Sequence, residues 1–179
     1  MLYIRGADDI QSTEPRRGLR YTVSRSMAPT RILFVCMGNI CRSPTAEGVM
    51  RALLREEGVE DVEVESAGIG DWHLGDAPDR RSTEAARRRG IVLEGASRQV
   101  RPSDFDEFDL LIAMDRSNHR DLLELAPDEE AAGKVRLLRE WEPGASDLDV
   151  PDPYYGDGRG FEDVLDMVQA SCRGLLADL

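Results

Sequence analysis

The chain is poor in lysine and cysteine, and it has no surplus of positive charge and no long apolar run. Lys134 is the only lysine among 23 basic residues, set against 35 acidic ones, for a formal net charge of −12. A chain this acidic has no basic surplus for a nucleic-acid backbone, which argues against nucleic acid as a main partner. A small phosphate ester stays open as a substrate, because a pocket can supply its own local field. The acidic exterior disfavours acidic phosphopeptides, an effect that salt weakens. The arginine bias fits a GC-rich genome better than thermophily. Three cysteines do not make a disulfide framework. With His73 and His119 they show no paired zinc spacing, and neither a metal nor another cofactor is expected. The histidines read as surface or capping residues. No run is apolar enough to span a bilayer, so no membrane partner is expected, and a reducing cytoplasm is the expected setting.

What is present alternates. Ile32–Val35 reads as a strand, Thr45–Glu57 as a helix ended by Gly58, and Val62–Glu65 as a strand. Asp79–Arg89 reads as a helix stopped by Gly90, Ser97–Val100 as a short strand, and Pro102–Asp104 as a turn or short helix. Leu110–Ala113 and Val135–Leu138 read as strands, Ser117–Leu125 and Phe161–Leu176 as helices. Strands alternating with helices predict an α/β three-layer sandwich, with about four parallel strands and helices on both faces. The length of 179 residues suits one domain, taken as residues 30–179. Residues 1–29 read as a flexible extension, and Met27-Ala-Pro-Thr30 as a natural start that would make the upstream stretch a mis-assigned beginning.

The first strand runs into Cys36-Met37-Gly38-Asn39-Ile40-Cys41-Arg42-Ser43, and Pro44 opens the helix that follows. Backbone N–H groups at a helix start have no internal partner, and the dipole is positive there, so a tetrahedral oxyanion fits. Gly38 is expected to take a conformation that a Cβ resists, and Asn39 to tie the turn together. Arg42 offers a planar fork matched to two phosphate oxygens. The same field favours a thiolate at Cys36, which can attack phosphorus directly. Cys-x5-Arg is a weak pattern alone, and its context gives it weight. A leaving phenolate needs an acid, and Pro151 and Pro153 restrict the backbone around Asp152. Spacing alone does not separate Asp152 from Asp147, Asp149 and Asp157.

The run from Val35 to Pro44 resembles the phosphate-binding loop of the low-molecular-weight protein tyrosine phosphatases. Ser66-Ala67-Gly68, the strand ending at Asp115 with Ser117-Asn118 after it, and Pro151-Asp152-Pro153-Tyr154-Tyr155 extend the resemblance in order over about residues 31 to 177. It implies that Cys36 is the nucleophile, that Arg42 clamps the phosphate, and that Asp152 is the acid and then the base for water. Met37, Gly38, Ile40 and Cys41 would form the loop, Asn39 would brace it, and Ser43 would hydrogen-bond the sulfur. Trp72, Tyr154 and Tyr155 would flank an aromatic substrate, although each could equally be an ordinary packing aromatic. The family also implies that Cys41 can join Cys36 in a protective disulfide, while Cys172 reads as core. The implied partner is a phosphotyrosine protein, a bacterial tyrosine kinase among the candidates, and the implied state a monomer or weak dimer.

Two relatives compete with this reading. A thioredoxin-coupled arsenate reductase needs relay cysteines in a mobile segment, and Gly90–Pro102 holds none. A protein arginine phosphatase carries threonine where this chain has Ile40. One departure is internal: many relatives carry a histidine where this chain has Gly95, so any loop-bracing role of that side chain is lost or supplied elsewhere.

Overall fold

A computed structural model describes residues 28–156 and 159–179. The expectations for residues 1–27, including a start at Met27, lie outside the described residues. Four parallel strands form one sheet in the order β2-β1-β3-β4. They are β1 (Thr30–Cys36), β2 (Val62–Gly68), β3 (Leu110–Ala113) and β4 (Val135–Leu137). The helices are α1 (Arg42–Glu57), α2 (Arg80–Arg88), α3 (Asp104–Glu107), α4 (Arg116–Leu125), α5 (Glu129–Ala132) and α6 (Arg159–Asp178).

β1 shows why the sheet must be covered twice. Its successive side chains alternate between faces, and Ile32, Leu33, Phe34 and Val35 are all fully buried. Ile32 and Phe34 join a core built with Val49, Met50 and Leu53 of α1 and Leu165 and Val168 of α6. Leu33 and Val35 join a second core with Phe105, Phe108 and Leu122. The chain passes from β1 to β2 on one side and later to β3 on the other. That reversal creates a crevice at the carboxyl end of β1, where open α/β sheets bind ligands. Cys36 is the last residue of that strand.

The structure departs from the expectations at a few places. Ser97–Val100 is no strand; a single bridge joins Gln99 to Gly68. Its neighbours spend their backbone groups elsewhere: Arg98 N–H donates to Asn39 Oδ1, and Ser97 N–H to the Asp76 carbonyl. β4 stops at Leu137, where a 3₁₀ turn, Leu138–Trp141, begins. There Glu140 accepts from Leu137 N–H and pairs with Arg136. α5 was not expected; Asp128 caps it through Ala131 N–H. α1 starts at Arg42 rather than Thr45, and Gly58 ends it in the left-handed region at φ 66°.

Candidate active site

The loop between β1 and α1 wraps around one sulfur atom. Asn39 N–H donates to Cys36 Sγ at 3.3 Å, and Ser43 Oγ lies 3.1 Å from the same sulfur. Cys36 is 2% exposed, so these contacts are made out of bulk water. Asn39 takes the left-handed conformation, at φ 52°, the one non-glycine among the described residues to do so. Its side chain fixes that turn: Nδ2 donates to Ser43 Oγ at 3.0 Å and to Ser66 Oγ at 2.9 Å, while Oδ1 accepts from Arg98 N–H. The reason for Gly38 differs from the expected one. It is not in the left-handed region; a Cβ there would meet His73 Cδ2 at 3.0 Å. Glycine at 38 therefore gives room to a neighbouring ring.

Arg42 points from the start of α1 across the crevice and is almost fully buried. Its Nη1 donates to Asp115 Oδ2 at 2.5 Å and to the Val150 carbonyl at 3.1 Å, and its Nη2 to Asp152 Oδ2 at 3.0 Å. Burial alone would lower the Arg42 pKa, but the nearby charges of Cys36, Asp152 and Asp115 outweigh it and hold that pKa above its ordinary value. Asp115 also caps α4 through Asn118 N–H at 2.7 Å. The segment carrying Asp152 is anchored just upstream, where Val150 N–H donates to the Met114 carbonyl at 2.7 Å. Asp152 Oδ1 accepts from Tyr154 N–H, which turns the carboxylate toward the crevice.

The result is a cleft of about 370 Å³. Its floor is Cys36, Met37, Gly38, Ile40, Cys41 and Arg42, and its walls are Trp72, His73, Asp152, Tyr154 and Tyr155. Tyr154 and Tyr155 meet edge to face with centroids 5.0 Å apart. Trp72 is 70% exposed and folds back over Gly70, where any Cβ would overlap its ring. Arg81 braces the tyrosine wall by donating to the Tyr154 carbonyl and stacking near its ring. Asn39 and Ser43 stand behind the floor rather than in it. Cys41 is buried; burial and the Asp79 charge push its thiol pKa up to about 12, with smaller upward pushes from Cys36 and Asp152 and an opposing bond to Ser82. Cys172 is buried in the core beside α1, as expected.

Chemically, the cleft brings together a thiol, a buried guanidinium and the carboxylate paired with it, beside three aromatic side chains. Among the described residues no group of His, Cys, Asp and Glu could hold a metal ion. Three residues of the site escaped the sequence reading. His73 was read as surface but forms part of the wall. Asp115 had a usable signal: it follows a strand adjacent to β1, at the carboxyl end where sites form, and begins an Asp-x-x-Asn cap. Ser66 entered only as part of the resemblance, with no local sign of its bond to Asn39, 27 residues away. No helix among the described residues is long and apolar enough to cross a membrane.

Comparison with known proteins identifies the family. The chain is 49% identical over 150 residues to a low molecular weight protein-tyrosine-phosphatase of Streptomyces coelicolor, covering 82% of this chain and 92% of that protein. A protein tyrosine phosphatase from Entamoeba histolytica superposes with a TM-score of 0.80 at 37% identity, over 83% of this chain and 96% of that one. A Drosophila arginine phosphatase superposes with a TM-score of 0.78 at 31% identity, over 82% and 96% of the two chains. The profile of the low molecular weight phosphotyrosine protein phosphatases matches residues 31–179. The chain belongs to the low molecular weight phosphotyrosine protein phosphatase family.

Proposed function

We propose that the protein hydrolyses phosphotyrosine in proteins through a cysteinyl-phosphate intermediate. The observation that carries this reading is the convergence of Cys36, Arg42 and Asp152 on one cleft walled by Trp72, Tyr154 and Tyr155. The phosphoryl group sits in the loop with its oxygens on backbone N–H groups and on Arg42. The Cys36 thiolate attacks phosphorus, the P–O bond to the phenol breaks, and Asp152 gives its proton to the departing oxygen. Water then attacks the cysteinyl phosphate while Asp152 takes its proton. The S–P bond breaks, inorganic phosphate leaves, and the Ser43 hydroxyl donates to the released thiolate.

The Arg42–Asp152 ion pair must loosen when a dianion arrives, because the phosphate competes for the same Nη2. That exchange frees the carboxylate to turn toward the leaving group. The aromatic walls suit a phenyl ester, and apolar Ile40 in the floor favours it over the charged guanidine of phosphoarginine. The substrate partner is then a phosphotyrosine protein, a bacterial tyrosine kinase among them, met in the cytoplasm by a monomer or weak dimer whose domain spans residues 30–179.

The test is hydrolysis of an aryl phosphate by wild type, Cys36→Ser and Asp152→Ala. Turnover should vanish in the first variant and fall about a hundredfold or more in the second; equal rates in all three refute the mechanism. Phosphotyrosine and phosphoarginine peptides offered side by side then separate the two phosphatase readings. A redox guard belongs to the same proposal: peroxide converts Cys36 to a sulfenic acid, Cys41 attacks that sulfur, and water leaves. With its pKa near 12, Cys41 reacts only through a small thiolate fraction. Mild peroxide should still leave Cys36 joined to Cys41 by mass spectrometry, and sulfonic acid at Cys36 alone would contradict the guard.

A further inference from the structure

Behind the loop runs a line of hydrogen bonds that ends on a buried carboxylate. Ser43 Oγ, 3.1 Å from the sulfur, accepts from Asn39 Nδ2; the same nitrogen donates to Ser66 Oγ; and Ser66 Oγ donates to Glu47 Oε2 at 2.5 Å. The direction of each bond is forced. Arg98 N–H occupies Asn39 Oδ1, so the amide nitrogen faces both hydroxyls. That nitrogen only donates, and a carboxylate only accepts, so the single Ser66 proton goes to Glu47. The Ser43 proton alone keeps a choice, between Cys36 Sγ and the Ala67 carbonyl at 3.2 Å.

We propose that Glu47 is a positioning residue for the nucleophile. Its carboxylate draws the Ser66 proton away from Asn39, which locks the amide and leaves the Ser43 proton free to turn onto the sulfur when that sulfur is negative. The inference rests on the phosphatase reading of Cys36 and deepens it. Without an acceptor at Glu47, the Ser66 hydroxyl is free to rotate, and Asn39 Nδ2 loses the fixed lone pair that holds the amide on Ser43. Glu47 is suited to the task. It is 9% exposed and sits beside a cavity of about 150 Å³ lined also by Gly95, whose absent side chain leaves that space open. Arg51, one turn along α1, holds it at 2.6 Å. Burial pushes its pKa up; the Ser66 bond and Arg51 oppose this, Glu65 of β2 adds to it, and Arg98 works against it.

The sign of the effect separates this role from a simple charge effect. Glu47 is negative, so through space its removal would favour a thiolate at Cys36. Loss of the locked line has the opposite consequence. The test is the rate of iodoacetamide alkylation at Cys36 against pH in the full chain, read by tandem mass spectrometry. Glu47→Met, which keeps the volume and removes the acceptor, should slow alkylation at pH 6 about threefold and move the profile to higher pH. Glu47→Gln, which keeps a carbonyl oxygen for Ser66, should match wild type or exceed it. Ser66→Ala should slow the reaction as Glu47→Met does, and the double variant should be no slower than either. Unchanged or faster alkylation in Glu47→Met, a Gln variant as slow as Met, or additive losses in the double variant would each overturn the proposal. Should Glu47→Met fail to fold, Glu47→Gln and Ser66→Ala give the same contrast. Alkylation needs no turnover, so a wild type inert toward aryl phosphates would sink the phosphatase reading and leave this result standing.

Discussion

Replacing Asp115 by Asn removes one negative charge from behind Arg42 and turns an amide nitrogen, which cannot accept, toward Arg42 Nη1. Asparagine caps helices as well as aspartate does, so the bond to Asn118 N–H and the start of α4 are retained. What is lost is a charge-assisted bond at 2.5 Å to a guanidinium whose side chain is 3% exposed. Such bonds are worth about 1.5–3 kcal/mol, and breaking a buried pair costs more when the remaining charge has no second partner. Arg42 keeps two, the Val150 carbonyl and Asp152, so the lower end, about 2 kcal/mol, is the better figure for stability. If Arg42 loses half to all of that in its hold on the transition state, kcat/KM falls about 5- to 30-fold, at 1.4 kcal/mol per decade. The leaving group makes the prediction sharper. Deprived of Asp115, Arg42 leans on Asp152, which is then slower to protonate the departing oxygen. Phenyl phosphate, which needs that proton, should suffer more than p-nitrophenyl phosphate, which scarcely does. The assay is steady-state hydrolysis of both esters, with urea unfolding alongside. Losses below twofold for both, or equal losses for the two esters, would refute the claim that Asp115 governs the division of Arg42 between phosphate and acid.

Two further outcomes follow from the packing. Cys172 is buried and its thiol pKa is pushed up from 9.0 to about 12; a group raised in the folded state contributes stability below its unfolded pKa and loses it as pH rises toward the folded value. Between pH 9 and 12 urea stability should therefore fall, and Cys172→Ala should lessen the fall by about 2 kcal/mol at pH 10.5; parallel curves for the two proteins would contradict this. Gly70→Val places atoms where the Trp72 ring lies, so it should raise KM for aryl phosphates several-fold while sparing urea stability. An unchanged KM would remove Trp72 from the substrate wall.

The parts of the site that the sequence revealed are those that lie close together along the chain. Cys36, Asn39, Arg42 and Ser43 lie within eight consecutive positions, so one turn of backbone physics places them all. Pro151 and Pro153 made Asp152 noticeable for the same local reason. The orientation of these groups was not legible, because it depends on bonds between distant segments: Arg42 to Asp115 and to Val150, and Asn39 to Arg98. The fold shows the same division. Apolar runs such as Leu110–Ala113 announced the strands. The fate of Ser97–Val100 was settled by Asn39 and Asp76, which compete for its backbone, and no period of the local sequence reports that. α5 escaped because four residues are too few to display a helical repeat.

The reach of Arg42 has a consequence for synthesis on the ribosome. Cys36 and its loop emerge well before the partners that aim Arg42, which arrive only with Asp115, Val150 and Asp152. The cover of α1 arrives later still, with α6. A nascent chain therefore presents the Cys36 loop before Arg42 has the partners that orient it. Under the proposed mechanism, a product that stops short of Asp152 should be silent rather than weakly active.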